Sequence, residues 1–169
     1  TTFTLTAGQT YAVIANGVTA PGSFAVNPDG RSTAFTFFVK EGVRTSAAVS
    51  SEVDFVVLHG ATDAPTVDVI ANGALTIVND AAYGDITNYI NVPAASYALG
   101  ITPAAGAPVL LTYTADLTTL AGGAAVVFAS GFLDPATNQN GPGFGLYAAL
   151  PNGTVIPFTN TTSVSESIE

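Results

Sequence analysis

Short stretches in which apolar and polar residues alternate recur along most of the chain. In the segment TVDVIA at residues 66–71, for example, valines alternate with polar residues, a period of two that is typical of half-buried strands. Asn-Gly pairs at residues 16–17, 72–73 and 152–153 mark tight turns between such stretches. The pattern predicts short strands from residues 2–6 to residues 154–158 and indicates an antiparallel β-sandwich or barrel.

An internal repeat divides the chain. The segment LTAGQTYAVIANGV (5–18) resembles TLAGGAAVVFASGF (119–132), so that Val13 meets Val127 and Gly17 meets Gly131. Farther on, FTFFVKEG (35–42) resembles FGLYAALPNG (144–153). Such self-similarity is typical of tandem domains. We therefore predict the C-terminal strands of a partial repeat at 1–46, a linker at 47–53, a complete sandwich at 54–159 and a polar tail or linker at 160–169.

The partial repeat lacks the strands that correspond to residues 53–116. The few strands that remain cannot bury both faces of a sandwich, and open strand edges pair readily with other chains. Either the missing strands were removed, or another chain supplies them, or the half-unit packs on the complete domain. Phe35, Phe37 and Phe38 place aromatic surface on both faces of one strand, so we predict that they form an interface.

Charge and composition restrict the classes of function. The net charge is −9 with 3 basic residues, whereas binding to nucleic acid needs a basic surface. Uninterrupted apolar runs stay shorter than the ~18 residues of a membrane-spanning helix, and without cysteine there is no disulfide or thiol chemistry. We expect neither a nucleic-acid partner nor a membrane span. The acidic, lysine-poor composition favours a secreted or cell-surface location.

The only histidine raises the question of catalysis. His59 lies near Asp63 and Asp68, either of which could orient it as a general base. No serine lies in a G-x-S-x-G turn, however, and turn residues of this kind usually serve backbone geometry. We interpret His59, Asp63 and Pro65 as structural residues of a sandwich corner, and we expect no catalytic residues.

The sequence gives only weak indications of a metal-binding or ligand-binding site. Asp134, Asn138 and Asn140 are weak calcium candidates, but their spacing fits no EF-hand and Asn and Asp commonly form turns. We expect no bound metal and no cofactor. Tyr83, in the loop sequence AAYGD, is the one loop aromatic that suggests a glycan-binding surface.

The run VVLHGATDAPTVDVIANG (56–73) resembles the DUF4397 family, as do AYGDITNYINVPAASYALGITPA (82–104) and LAGGAAVVFASG (120–131). The resemblance implies an Ig-like antiparallel β-sandwich and a place in tandem arrays of secreted or cell-surface proteins. It implies no particular activity. A Pro-Ala-Ala-Ser-Tyr sequence at 93–97 stands where many relatives have Pro-Ala-Gly.

These inferences predict a non-catalytic extracellular structural protein, a cell-surface or filament-forming module that assembles through strand edges and apolar faces. Its expected partners are further copies of itself, in a homopolymer or in tandem. The alternative is an adhesin that recognises a glycan or a surface protein through loops near Tyr83 and residues 138–143.

Overall fold

A computed structural model describes residues 2–104 and 106–162 of the 169-residue chain. Nearly all of its regular structure is β-sheet, as the alternating pattern predicts. The strands are β1 (Tyr11–Asn16), β2 (Thr36–Glu41), β3 (Glu52–His59), β4 (Val67–Ala71), β5 (Leu75–Ala81), β6 (Ile90–Pro93), β7 (Ser96–Pro103), β8 (Leu111–Asp116), β9 (Ala124–Ser130), β10 (Gly145–Ala149), β11 (Val155–Pro157) and β12 (Thr159–Asn160).

Two five-stranded sheets form a sandwich. The first has the order β11-β10-β9-β3-β6 and the second the order β12-β8-β7-β4-β5. Neighbouring strands run antiparallel except for β3 and β9, which are parallel. The inward-facing side chains of both sheets form one apolar core, because alternate residues of a strand point to the same face. The prediction of an all-β sandwich is confirmed.

Hairpin β1–β2 forms a separate two-stranded sheet. Its register repeats that of β9–β10: Val13 pairs with Val39 as Val127 pairs with Ala148. Beyond the paired segments, parallel bridges join residues 18 and 34 and, correspondingly, residues 132 and 143. A turn of 3-10 helix follows each first strand, at Pro21–Ser23 and at Pro135–Thr137. The two segments therefore share their local geometry as well as their sequence pattern.

Glycine occupies the same point in both segments for the same steric reason. Gly17 and Gly131 have φ angles of 95° and 83°, which side chains with a Cβ rarely adopt. A Cβ on Gly17 would lie 2.7 Å from the carbonyl oxygen of Ala34, and one on Gly131 would collide with the carbonyl of Gly143. At both glycines the chain turns sharply and passes close to the backbone of the opposite segment, where a Cβ would not fit.

Three sequence-based boundaries need correction. Residues 2–6, predicted as a strand, are unpaired and exposed, because alternation alone supplies no neighbouring strand. The predicted linker at 47–53 overlaps β3, which begins at Glu52. The predicted tail at 160–169 begins inside β12, and the backbone N–H of Thr161 donates to the carbonyl of Thr112 over 2.9 Å. The rest of that tail, residues 163–169, lies outside the described residues.

Candidate functional site

The side chain of His59 is buried at the end of β3, with 5% of its surface exposed. Its Nε2 lies 3.0 Å from the carbonyl oxygen of Pro65, so Nε2 carries the proton and donates it. Its Nδ1 is buried without a hydrogen-bond partner among the described residues. Burial lowers the pKa of the imidazole, because a charged ring would lose its hydration. His59 is therefore a neutral residue that closes the corner between β3 and β4.

Neither aspartate that could orient His59 for catalysis contacts its ring. The carboxylate of Asp68 accepts the backbone N–H of Asp80 over 2.7 Å. The carboxylate of Asp63 accepts the backbone N–H groups of Leu133 and Asp134, each over 2.9 Å. In the part of the chain that the structure describes, His59 therefore forms no hydrogen bond with an aspartate, and its Nε2 donates to the carbonyl oxygen of Pro65.

Two of the three weak calcium candidates, Asn138 and Asp134, already accept a hydrogen bond through a side-chain oxygen. Asn138 is fully buried; its Oδ1 accepts the backbone N–H of Ala25, and its Nδ2 donates to Asp63 over 2.9 Å. Asp134 accepts the N–H of Ala136 as the cap of the short helical turn. Asn140 has a positive φ of 55°, as a turn residue does. Over residues 2–104 and 106–162, no group of three or more His, Asp and Glu side chains could hold a metal ion.

Tyr83, the loop aromatic of the glycan-binding alternative, is 2% exposed. Its hydroxyl donates to Oδ1 of Asn16 over 3.0 Å. Its ring meets Phe38 edge-to-face at 6.0 Å between centroids, and His59 in the same way at 6.5 Å. Hairpin β1–β2 therefore covers the loop, and the ring of Tyr83 has no free face for a sugar.

Arg31 holds the loop between β1 and β2 against the same turn. Its guanidinium makes two contacts to the carboxylate of Asp85, of 2.7 Å and 3.2 Å, and it also donates to the carbonyl of Tyr83 over 3.1 Å. Two parallel N–H···O bonds fix orientation as well as distance. Sequence reasoning did not identify this pair.

The other two basic residues also bind the N-terminal segment to the sandwich. Lys40 donates through Nζ to the carbonyl of Thr87 over 2.9 Å. Arg44 pairs with the fully buried Asp54 and lies 4.3 Å from the ring centroid of Tyr89. All 3 basic residues of the chain thus lie in its first 44 positions and contact the acidic remainder. This charge asymmetry was the sequence signal for the docking.

The predicted interface residues fall on both faces of the hairpin. Phe38 points inward onto Tyr83 and Gly84. Phe35 and Phe37 point outward, are 50% and 43% exposed, and contact each other edge-to-face at 5.4 Å. We call the side of the hairpin that they share the hairpin outer face; it comprises Val13, Ala15, Phe35, Phe37 and Val39.

The hairpin outer face corresponds to a core-facing surface elsewhere in the chain. Val13, which is 55% exposed, is equivalent to the buried Val127, and Phe37 is equivalent to the buried Leu146. The other equivalents, Ala129, Phe144 and Ala148, also belong to the core or pack against it. In addition, the described residues place no strand along the second edge of β1. An uncovered half-core and a free strand edge therefore lie side by side.

None of the described residues forms a helix with the length and apolar character that a membrane crossing requires. In comparisons with known proteins, the family described as "Domain of unknown function (DUF4397)" matches residues 53–140. No curated protein and no solved structure matches the chain. The family match begins within β3, covers β4 to β9 and ends in the loop before β10. Since it spans just over half of the 169 residues, the chain belongs to the DUF4397 family.

Proposed function

We propose that this chain is a non-catalytic structural module of an extracellular or cell-surface assembly. It joins neighbouring β-units through the free edge of β1 and the hairpin outer face. The observation that carries this proposal is the exposure of Val13, Phe35 and Phe37 at positions whose equivalents lie in a hydrophobic core. Contiguous apolar surface beside an open edge is characteristic of association sites.

The geometry around His59 supports a role without catalysis. A general base needs an accessible nitrogen close to the proton that it removes. In His59, Nε2 is bonded to Pro65 and Nδ1 is enclosed in the corner. The ring thus stabilises the turn that holds residues 60–65 in place.

The adhesin alternative has less support from the structure. Its main aromatic, Tyr83, is buried under the hairpin. An open groove lies beside Arg31, Phe35 and Phe38, but the guanidinium of Arg31 is already paired with Asp85. A glycan would therefore find Phe35 as its main exposed aromatic platform.

The outer face can be tested on the purified chain by sedimentation velocity. Because two six-residue strands present a face of only about 20 by 10 Å, we expect weak self-association, with a Kd of about 0.1–1 mM. Phe37→Ser should abolish the rise of the sedimentation coefficient with concentration. Val155→Ser changes a comparably exposed side chain on β11 and should leave the rise intact. If both variants lost the rise equally, the hairpin outer face would not be the site of self-association.

Negative-stain electron microscopy of native material, with intact mass on the same sample, tests the assembly itself. Filaments or arrays with this chain as the repeating unit would support the structural role. Dispersed single particles would contradict it and favour the adhesin alternative.

A further inference from the structure

We infer that the occupant of the hairpin outer face is the β3-to-β8 part of another DUF4397 unit. Its first strand runs parallel to β1 along the free edge. This inference rests on the proposed function and deepens it by naming the partner. Hairpin β9–β10 of the same chain shows what such a partner provides.

The covering sheet is defined by the contacts of the equivalent hairpin. The inner face of β9–β10 is covered by β4, β7 and β8 of the opposite sheet. Large apolar side chains supply that cover, namely Val69, Leu99, Ile101 and Tyr113. Because Val13, Phe37 and Val39 match Val127, Leu146 and Ala148 in register, a partner with the same side chains would bury them in the same way.

The edge strand is defined just as closely. β3 runs parallel to β9, with Val57 beside Val127 and His59 beside Ala129. Transferred to the N-terminal hairpin, this register places a β3-like strand beside residues 10–15. In β3 itself, Val53, Phe55 and Val57 point towards the core. The partner strand would extend the outer face with three more apolar side chains and satisfy the free backbone groups of β1.

An intact second copy does not provide this cover. In each copy, β3 already lies between β9 and β6, so it has no free edge to offer. The described residues of each chain also contain two hairpins of this kind but one set of strands β3 to β8. If two copies exchanged strands β3 to β8, each copy would still have one hairpin whose apolar face is not covered. Stacking two outer faces on each other would bury far less than the ~1,200 Å² of a stable interface.

The register can be tested by site-selective disulfide trapping, since the chain has no cysteine of its own. The full chain with Val13→Cys is mixed with a synthetic peptide of residues 51–60 that carries an activated disulfide at Val57→Cys. A second peptide carries it at Val56→Cys, which points to the opposite side of the strand. Pairing in the inferred register should make the first peptide react about tenfold faster than the second, because exchange depends on access and geometry. The preference should disappear in urea.

The chain with Val155→Cys, a residue with 52% exposure on β11, should show no preference between the peptides. Equal rates at Val13→Cys would overturn the inference. Disulfide dimers of the Val13→Cys chain that form faster than the chain reacts with the first peptide would also overturn it, because the face would then prefer a second copy to a β3-like strand. Equal rates in a chain that still assembles would overturn this inference alone. A clear preference in a chain that never assembles would overturn the proposed function alone.

Discussion

At the scale of single residues, the imidazole and the backbone of His59 hold the sandwich corner together. His59 holds residues 59–65 through a hydrogen bond to Pro65, while its own backbone accepts the N–H of Gly84 over 2.8 Å and donates to the carbonyl of Asp85 over 3.1 Å. One residue thus connects the turn after β3 to the turn before β6.

Replacing His59 should lower stability without changing assembly. His59→Ala removes a buried ring and its hydrogen bond to Pro65, so we expect a loss of about 1–3 kcal/mol and a melting temperature lower by about 3–10 °C. His59→Gln keeps a side-chain N–H donor and should recover part of the loss. Differential scanning calorimetry and sedimentation velocity provide the two readouts. Unchanged stability in His59→Ala would contradict its turn role.

The stability of the fold should also depend on pH through this ring. Burial lowers the pKa of His59 below 6.5, although the nearby carboxylates of Asp29 and Asp85 partly oppose the shift. The unfolded chain therefore binds the proton more readily than the folded chain, and folding stability falls as the pH falls below 6.5. Urea denaturation between about pH 7.5 and pH 5.5 should show a decreasing midpoint in the wild type. If the urea midpoint of His59→Gln depends on pH as strongly as that of the wild type, groups other than His59 cause the effect.

At the scale of elements, Asn27 is one of the residues that hold the loop between β1 and β2 against the sandwich. Asn27 is 2% exposed. Its Nδ2 donates to the carbonyls of Thr62 and Ala64, and its Oδ1 accepts the N–H groups of Asp29 and Arg31. The two bonds from Nδ2 join the N-terminal segment to the corner below His59, and the two bonds to Oδ1 fix the shape of the loop itself.

Asn27→Ala should loosen the N-terminal segment locally. Leaving these buried carbonyls unpaired costs about 1–3 kcal/mol, which corresponds to hydrogen exchange about 5- to 150-fold faster in β1 and β2. Strands β3, β7 and β9 should keep their protection, because their ladders and core contacts remain. Asn88→Ala, at an exposed position, serves as the matched control. Exchange that rises equally throughout the sandwich would mean that the segment does not open as a separate unit.

The sequence predicted most of the elements because two kinds of local signal were strong. The alternation at residues 66–71 lies in β4, Val67–Ala71, and the two copies of the internal repeat form hairpins in the same register. Residues 2–6 have the same alternation but no neighbouring strand. The burial of Tyr83 depends on Phe38 and Asn16, which are far away along the chain. Contacts of this kind depend on where hairpin β1–β2 packs on the sandwich. The periodicity of apolar residues within a strand does not predict that packing.

At the scale of the whole molecule, the charges are divided unevenly. Every basic residue lies in the N-terminal segment and is engaged there: Arg31 with Asp85, Lys40 with a backbone carbonyl and Arg44 with Asp54. Of the 12 acidic residues, 8 lie in the sandwich, 2 in the N-terminal segment and 2 at positions 166 and 169, whereas the hairpin outer face carries no charged side chain. Two copies, each with a net charge of −9, repel each other as they approach, but contact through the hairpin outer face brings no charged side chains of that face together.

This distribution predicts how association responds to salt. If copies associate through the hairpin outer face, sodium chloride should strengthen the association between about 10 mM and 500 mM, because screening reduces the repulsion between like-charged chains. Sedimentation velocity at a fixed protein concentration measures the change, and Phe37→Ser should remain monomeric at every salt concentration. Association that weakens with salt would point instead to ion pairs between the basic N-terminal segment of one copy and the acidic sandwich of another. Because Arg31 and Arg44 already have carboxylate partners within the chain, we expect strengthening.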